Sequence, residues 1–347
     1  MELEWQCQLS DLVTALDWSP TGHSWAASSA DGEILWIELK ATALVPLAPD
    51  HSEIVRLQTA TGQSIDNLAF SLDARWLAAG GQAGQLLVWD CTPGNRPPQL
   101  VQKLDLDSWV GKLVWHPTLS LLAISYGTQV KIWDATTATE LTTWRFDRSS
   151  IFDLAWHPSG AYLAIAGYKG VEIWAIADRI TPSYQLPVDT ASIQIAWSPD
   201  GRYLAAGNLD RSLTMMDWHH PDEPWILQGC PGKIRQLVWL NHPATPCLVV
   251  ASGNEIVLWH LEANHWSGQL LAGHQGIVES IAAHPDLAMF GSVATDGYAC
   301  VWSAGGEIEQ IITNELSGFT TLAWHPDGAC LAIGSQNGEI CLWSNSA

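Results

Sequence analysis

One sequence unit recurs eight times along this chain, and that recurrence constrains the fold more than any other feature. In each copy an apolar strand ends in an aromatic residue, and a turn often holding Pro follows. A second strand rich in Ala, a Gly-containing turn and a third strand complete it. The clearest copies are FTTLAWHPDGACLAIGSQNGEICLW at 319–343 and SIQIAWSPDGRYLAAGNLDRSLTMM at 192–216. The units begin near Val13, Ile65, Val110, Ile151, Ser192, Ile234, Val278 and Phe319. Successive starts lie 41 to 45 residues apart, except the first two, which an insertion around 40–64 sets 52 apart. A unit this short cannot bury its own apolar faces, so the copies must stack and share their cores. Length alone would suggest two or three domains at roughly 150 residues each; the repeat instead joins residues 1–347 into one. Of the 21 Trp, twelve stand at the ends of first and third strands, which marks a repeated packing position. Trp36 is out of phase: Ile37, six residues after Asp31, takes the expected place, so Trp36 should point to the opposite face of its strand.

With this unit and this period the chain resembles the WD-repeat (WD40) family of β-propellers, over essentially its whole length. The resemblance implies an all-β fold, a single eight-bladed β-propeller of four-stranded antiparallel blades, with seven blades as the alternative. In that family three strands of a blade come from one unit, and the outermost strand precedes the next unit. Residues 2–9 (ELEWQCQL) are therefore expected to complete the last blade and close the ring, leaving no free sheet edge there. The family's hydrogen-bonded set of His, Ser/Thr, Asp and Trp is complete in one unit here, as His274, Ser292, Asp296 and Trp302. Elsewhere the Asp position holds residues such as Ala83, Gly127 and Gly253, and the Ser position is usually Ala, as at Ala79, Ala123 and Ala206. Those blades are expected to hold by aromatic and aliphatic packing, which can match a polar network in stability.

Composition narrows the functions. Lys+Arg is 15 against Asp+Glu 36, a net charge of −21, which is the wrong sign for a phosphate backbone, so no nucleic-acid partner is expected. The apolar runs fall far short of the roughly 20 residues needed to cross a bilayer. The N-terminal MELEWQCQLSDL also lacks the basic and apolar regions of a signal peptide. We therefore expect no membrane partner and a cytoplasmic location. The seven cysteines are odd in number and never spaced CxxC, which reads as reduced, packed thiols. No GxSxG, HExxH, Walker loop or helix-opening GxGxxG occurs, so neither an enzyme nor a cofactor is expected. The third residues of the first strands, among them Asn67, Lys112, Asp153, Gln194 and Gln236, are expected to line a solvated central channel.

Histidine is distributed unevenly. By the family's topology, first-to-second-strand turns and third-to-fourth-strand loops share one face, and ten of the 12 His fall there. His23, His116, His157, His242, His284 and His325 are in turns; His219, His220, His260 and His265 are in loops. Histidine is the commonest metal ligand, so a metal-binding or metal-homeostasis role is the alternative function, with the four loop histidines as its tightest candidates. The turn histidines mostly stand in His-Pro pairs that alternate with Ser-Pro, as at Ser198-Pro199, and read as turn residues.

The leading expectation is a non-enzymatic protein–protein interaction scaffold, a monomeric ring within a larger complex. Propellers of the family it resembles commonly bind proteins or peptides at the face of the second-to-third-strand turns and the approaches to first strands. That face should present Trp109, Tyr126, Arg148, Tyr168, Arg211, Lys233 and Tyr298. Trp, Tyr and Arg are the residue types that dominate interface energetics. Basic residues gathered near one rim favour an acidic segment of the partner, while the acidic remainder would steer a basic one. The insertion at 40–64 and the stretch TPGNRPP at 92–98 are read as outer or rim connections.

Overall fold

The computed structural model describes residues 1–39, 52–92, 97–178, 180–241, 245–313 and 317–344. Much of the 40–64 insertion and the middle of the 92–98 stretch lie outside the described residues. Within them the chain forms thirty strands, from β1 (Glu2–Gln8) to β30 (Glu339–Ser344), and no helix is long and apolar enough to cross a membrane.

The strands form seven antiparallel sheets, the number of the alternative and not eight: six of four strands and one of six. The cause is local. Strand β15 (Tyr162–Ala175) is a hairpin whose first half pairs with β14 (Asp153–Trp156) and whose second half pairs with the start of β16 (Tyr184–Trp197). β16 then continues as the first strand of the fifth unit, pairing with β17 (Tyr203–Asn208) from Ser192 onward. Tyr184–Trp197 stays extended through Pro187 and Asp189 without a break, so units four and five share one sheet. The seven sheets thus carry eight first strands. These are β2 (Val13–Trp18), β6 (Asn67–Phe70), β10 (Val110–Trp115), β14, the second half of β16, β20 (Ile234–Trp239), β24 (Val278–Ala283) and β28 (Phe319–Trp324). Each lies against the next and β28 lies against β2, so they close a ring. β1 pairs with β30 from Glu2↔Ser344 to Gln8↔Glu339, and so supplies the outer strand of the last unit.

Second strands are buried on both sides and built of small residues, as in β3 (Ser24–Ser29, SWAASS) and β17 (YLAAGN). Sheets that converge on a common axis leave little room there, and the bulk moves outward to third-strand runs such as Leu86-Leu87-Val88-Trp89. The core is correspondingly divided among the gaps between neighbouring units. One cluster joins Trp5, Ala332, Ile340 and Leu342 to Trp18, Trp25 and Ile37. Trp36 packs on the other side of its strand with Leu77 and Trp89, as the phase of the repeat requires.

Packing is only part of the reason for so much tryptophan. Trp18 stacks on Trp25 at 5.2 Å, a pair worth about 0.5–1.5 kcal/mol beyond its burial. Five of the six first-strand tryptophans, all but Trp197, also donate their indole N–H to a backbone carbonyl of the preceding first strand: Trp115 to Ala69 at 3.0 Å, Trp156 to Val114 at 3.1 Å, Trp239 to Ala196 at 3.0 Å. Trp324 reaches Ala282 in the same way, and Trp18 reaches Ala323 across the ring closure. Phenylalanine could fill the space but not make the bond. All seven cysteines are free, and burial pushes the thiols of Cys247 and Cys300 up to about 12, which keeps them protonated and inert.

Candidate functional site

Strand direction divides the ring into two faces. First-to-second-strand turns lie on one, called lower here; second-to-third-strand turns and the approaches to first strands lie on the other, the upper face.

The lower face is held by histidine. His116 Nε2 lies 3.0 Å from the Gly160 carbonyl in the next unit's turn, and His157 makes the same contact with Gly201 at 3.0 Å. His284 reaches Gly328 at 3.2 Å, and His325 reaches Gly22 across the closure at 3.1 Å. The tautomer follows from the other nitrogen: His116 Nδ1 accepts the N–H groups of Thr118 and Leu119, so Nε2 carries the proton and donates. Each ring also sits edge-on or tilted against the next unit's tryptophan, as His116 does on Trp156 at 4.8 Å. Gly160 is needed twice over: its φ is +74°, and a Cβ there would collide with the His116 ring. Burial holds the His116 and His157 imidazoles below the ordinary histidine range. Where Ser198 stands in place of this histidine, a recess of about 640 Å3 opens beside Tyr203, Trp239 and Asp286.

The four-residue set stands assembled in the seventh unit. The Trp302 indole donates to Ser292 Oγ at 2.8 Å, and Ser292 Oγ lies 2.8 Å from His274 Nε2. Asp296 Oδ1 is 3.5 Å from His274 Nδ1, and the carboxylate accepts the backbone N–H groups of Gln275, Gly276 and Tyr298. Burial opposes ionisation of Asp296, but those N–H groups outweigh it and hold the carboxyl below the usual range. Every polar group of the set faces another member or the backbone, which makes it a clamp on the turn. The fifth unit has a buried network that the motif did not reveal: Ser192 donates to Asn208, whose amide reaches Ser212 and Thr214 at 3.0 Å each.

The loop histidines do not assemble. Among the described residues no three His, Cys, Asp or Glu side chains gather as metal ligands would, His219, His220, His260 and His265 included. His219 is exposed with Nδ1 3.5 Å from Asp217, a carboxylate that Arg202 already holds at 3.0 Å. His242 falls outside the described residues.

The third residues of the first strands tie neighbouring units together. Asp153 is buried, pairs with Lys112 at 3.1 Å and accepts the Ile195 N–H at 2.9 Å; Gln236 accepts the Ile281 N–H at 2.9 Å. Asn67 donates to the carbonyls of Val110 and Gly111. The solvated lining expected from sequence is, at these positions, a set of inter-unit bonds.

On the upper face Trp109 is 66% exposed, Tyr168 48% and Tyr298 44%, and Arg148, Arg211 and Lys233 are exposed as well. Tyr126 is corrected: it is 8% exposed, its ring lies in the core with Val110 and Trp133, and its hydroxyl donates to Gln129 at 3.1 Å. It ends a second strand that pairs on both sides, with Val110 and with Gln129, which leaves it no route to solvent. Arg148 donates to the Lys169 carbonyl and to Gln185 Oε1, and Arg211 donates to the Pro231 carbonyl. A recess of about 420 Å3 opens near the inner strands, lined by Phe152, Ile193, Leu209, Lys233 and the Arg235–Glu279 pair. Sequence reasoning missed Phe152, Ile193 and Arg235, the second residues of their first strands. In most units the register slips at this position, a β-bulge that re-aims one side chain.

Comparison with known families gives one match. The family model described as WD domain, G-beta repeat, matches residues 3–36, 54–90, 181–217, 267–303 and 307–344, more than half the chain. No curated protein matches.

Proposed function

This chain belongs to the WD-repeat family, whose members are typically protein-interaction scaffolds, and from that premise we propose that it is a non-enzymatic platform that binds a protein partner on its upper face. One observation carries the reading: Trp109, Tyr168 and Tyr298 are exposed on that face, while most other aromatic side chains are packed into the core. Trp and Tyr are among the residue types most enriched as interface anchors. The non-enzymatic part rests on the polar groups. Asp153, Lys112, His274 and Asp296 are engaged with one another or with backbone, and none is left poised as acid, base or nucleophile.

The test is affinity capture with the double variant Trp109→Ala, Arg148→Ala. Loss of the partner captured by the unaltered chain, with the thermal midpoint within a few degrees, supports the upper face. Undiminished capture would move the site elsewhere.

A further inference from the structure

We infer that the upper face of units four to six is built to receive an acidic peptide segment with an apolar anchor residue; this deepens the platform reading and rests on it. The first observation concerns which cations are spoken for. Among the described residues Arg56, Arg75, Lys112, Lys131, Arg145, Arg202 and Arg235 each pair with a carboxylate. In a chain with 36 carboxylates and 15 basic residues that is the expected fate of a cation. Among the described residues five cations form no such pair: Lys103, on the outer strand Gln99–Asp105, and Arg148, Lys169, Arg211 and Lys233, the last four all on the upper face of these units. Asp147 pairs with Arg145, and Asp210 accepts the Ser212 hydroxyl; the buried Glu172 accepts the Trp174 indole N–H and also feels the Arg148 charge.

The second observation is conformational. In the turn between second and third strands one residue takes a left-handed backbone, and in six units it is glycine: Gly32, Gly84, Gly127, Gly253, Gly297 and Gly338. In units four and five the position is held by Lys169 (φ 67°) and Arg211 (φ 70°). A side chain there is unfavourable where glycine is free, and such strain persists at sites that use it. The same side chains are braced: Lys169 Nζ donates to the Asp189 carbonyl at 2.9 Å, Arg211 to Pro231 at 3.2 Å, and Arg148 to Lys169 at 3.4 Å. Carbonyl contacts fix Lys169 and Arg211 without neutralising them, which is the arrangement that receives an anion.

The third observation is the recess of about 420 Å3 beside them, where Phe152 and Leu209 are exposed at 44% and 58% next to Lys233. It gives an apolar anchor a seat within reach of the cations. The far side of the ring repels the same ligand: no Lys or Arg occurs from Gln236 to Ala347 or from Met1 to Leu39, stretches that hold 17 of the 36 carboxylates. An acidic segment is thereby kept away from units seven, eight and one.

The test uses the full chain and two labelled peptides, one of alternating Asp and Ser around a central Leu-Phe pair, the other with Asn for every Asp. The Asp peptide should bind at low salt, at least tenfold more tightly than the Asn peptide, and lose at least tenfold in affinity at high salt. Lys169→Gly with Arg211→Gly should also cost at least tenfold, with the thermal midpoint unchanged or raised, because glycine suits both turns. Equal affinity for the two peptides, binding by the glycine variant equal to that of the unaltered chain, or no binding of the Asp peptide would each overturn the inference. A partner still captured through Trp109 in those cases would leave the platform reading standing.

Discussion

On the lower face His116, His157, His284 and His325 each hold a glycine carbonyl of the next unit, whereas on the upper face Trp109, Tyr168 and Tyr298 reach solvent without such a partner. The same repeat makes both faces, so the difference lies in what the turns carry. Lower turns pair a histidine in one unit with a left-handed glycine in the next, and the contact is complete without any further molecule. Some upper turns and approaches carry side chains, Trp109, Tyr168 and Tyr298 among them, that the fold leaves in solvent. Substitutions below should therefore change the ring, and substitutions above should change what it binds.

That contrast can be broken most forcefully at Gly160. Gly160→Ala adds a strained left-handed residue and drives a methyl into the buried His116 ring, and should cost about 2–4 kcal/mol in urea denaturation. A loss under 1 kcal/mol would mean that the turn relaxes and the lower face is not a fixed seam. Next is Ser292→Ala, which strands the Trp302 N–H and one His274 nitrogen and should cost about 1–3 kcal/mol by the same measurement.

A smaller effect follows from pH. Burial lowers the folded-state pKa of His116 and His157 below the unfolded value of about 6.5. The unfolded chain then binds more protons over that window, so the latches contribute fully above about pH 6.5, and their contribution is lost as pH falls through the folded values. The double variant His116→Gln, His157→Gln should show a shallower loss of thermal midpoint between pH 7 and 5 than the unaltered chain; parallel curves would assign the acid sensitivity to other groups. The smallest effect belongs to the upper face: Trp109→Ala should change stability by less than about 0.5 kcal/mol, as at other exposed sites.

Much of this architecture can be read from residue order alone, and the exceptions have causes. The phase count that sets Ile37 against Trp36 works because strand periodicity is rigid, and the two residues do fall in different clusters. The four-residue set was legible because its members are local to one unit. Tyr126 was misread because a position near a turn does not reveal whether its ring folds back into the core. The fused sheet of units four and five was hidden because nothing in Val188–Ala191 marks whether an extended segment bends enough to separate two strands. The latches are partly visible: His116–Gly160, His157–Gly201 and His284–Gly328 share a separation of 44 residues, but only the ring shows that this brings ring and carbonyl together. Lys169 was overlooked because aligning the turns by their Asp position draws the eye away from the left-handed residue beside it.

The pairing of β1 with β30 has a consequence for how the protein is made. Trp5 and Leu9 share their core with Ala332, Ile340 and Leu342, and Gln8 donates to the Asn337 carbonyl 329 residues away. On the ribosome those side chains must wait for the 329 residues that separate Gln8 from Asn337 before their partners exist. For that interval the first unit presents an uncovered apolar flank and an open strand edge, and the nascent chain is at its most vulnerable to wrong pairing.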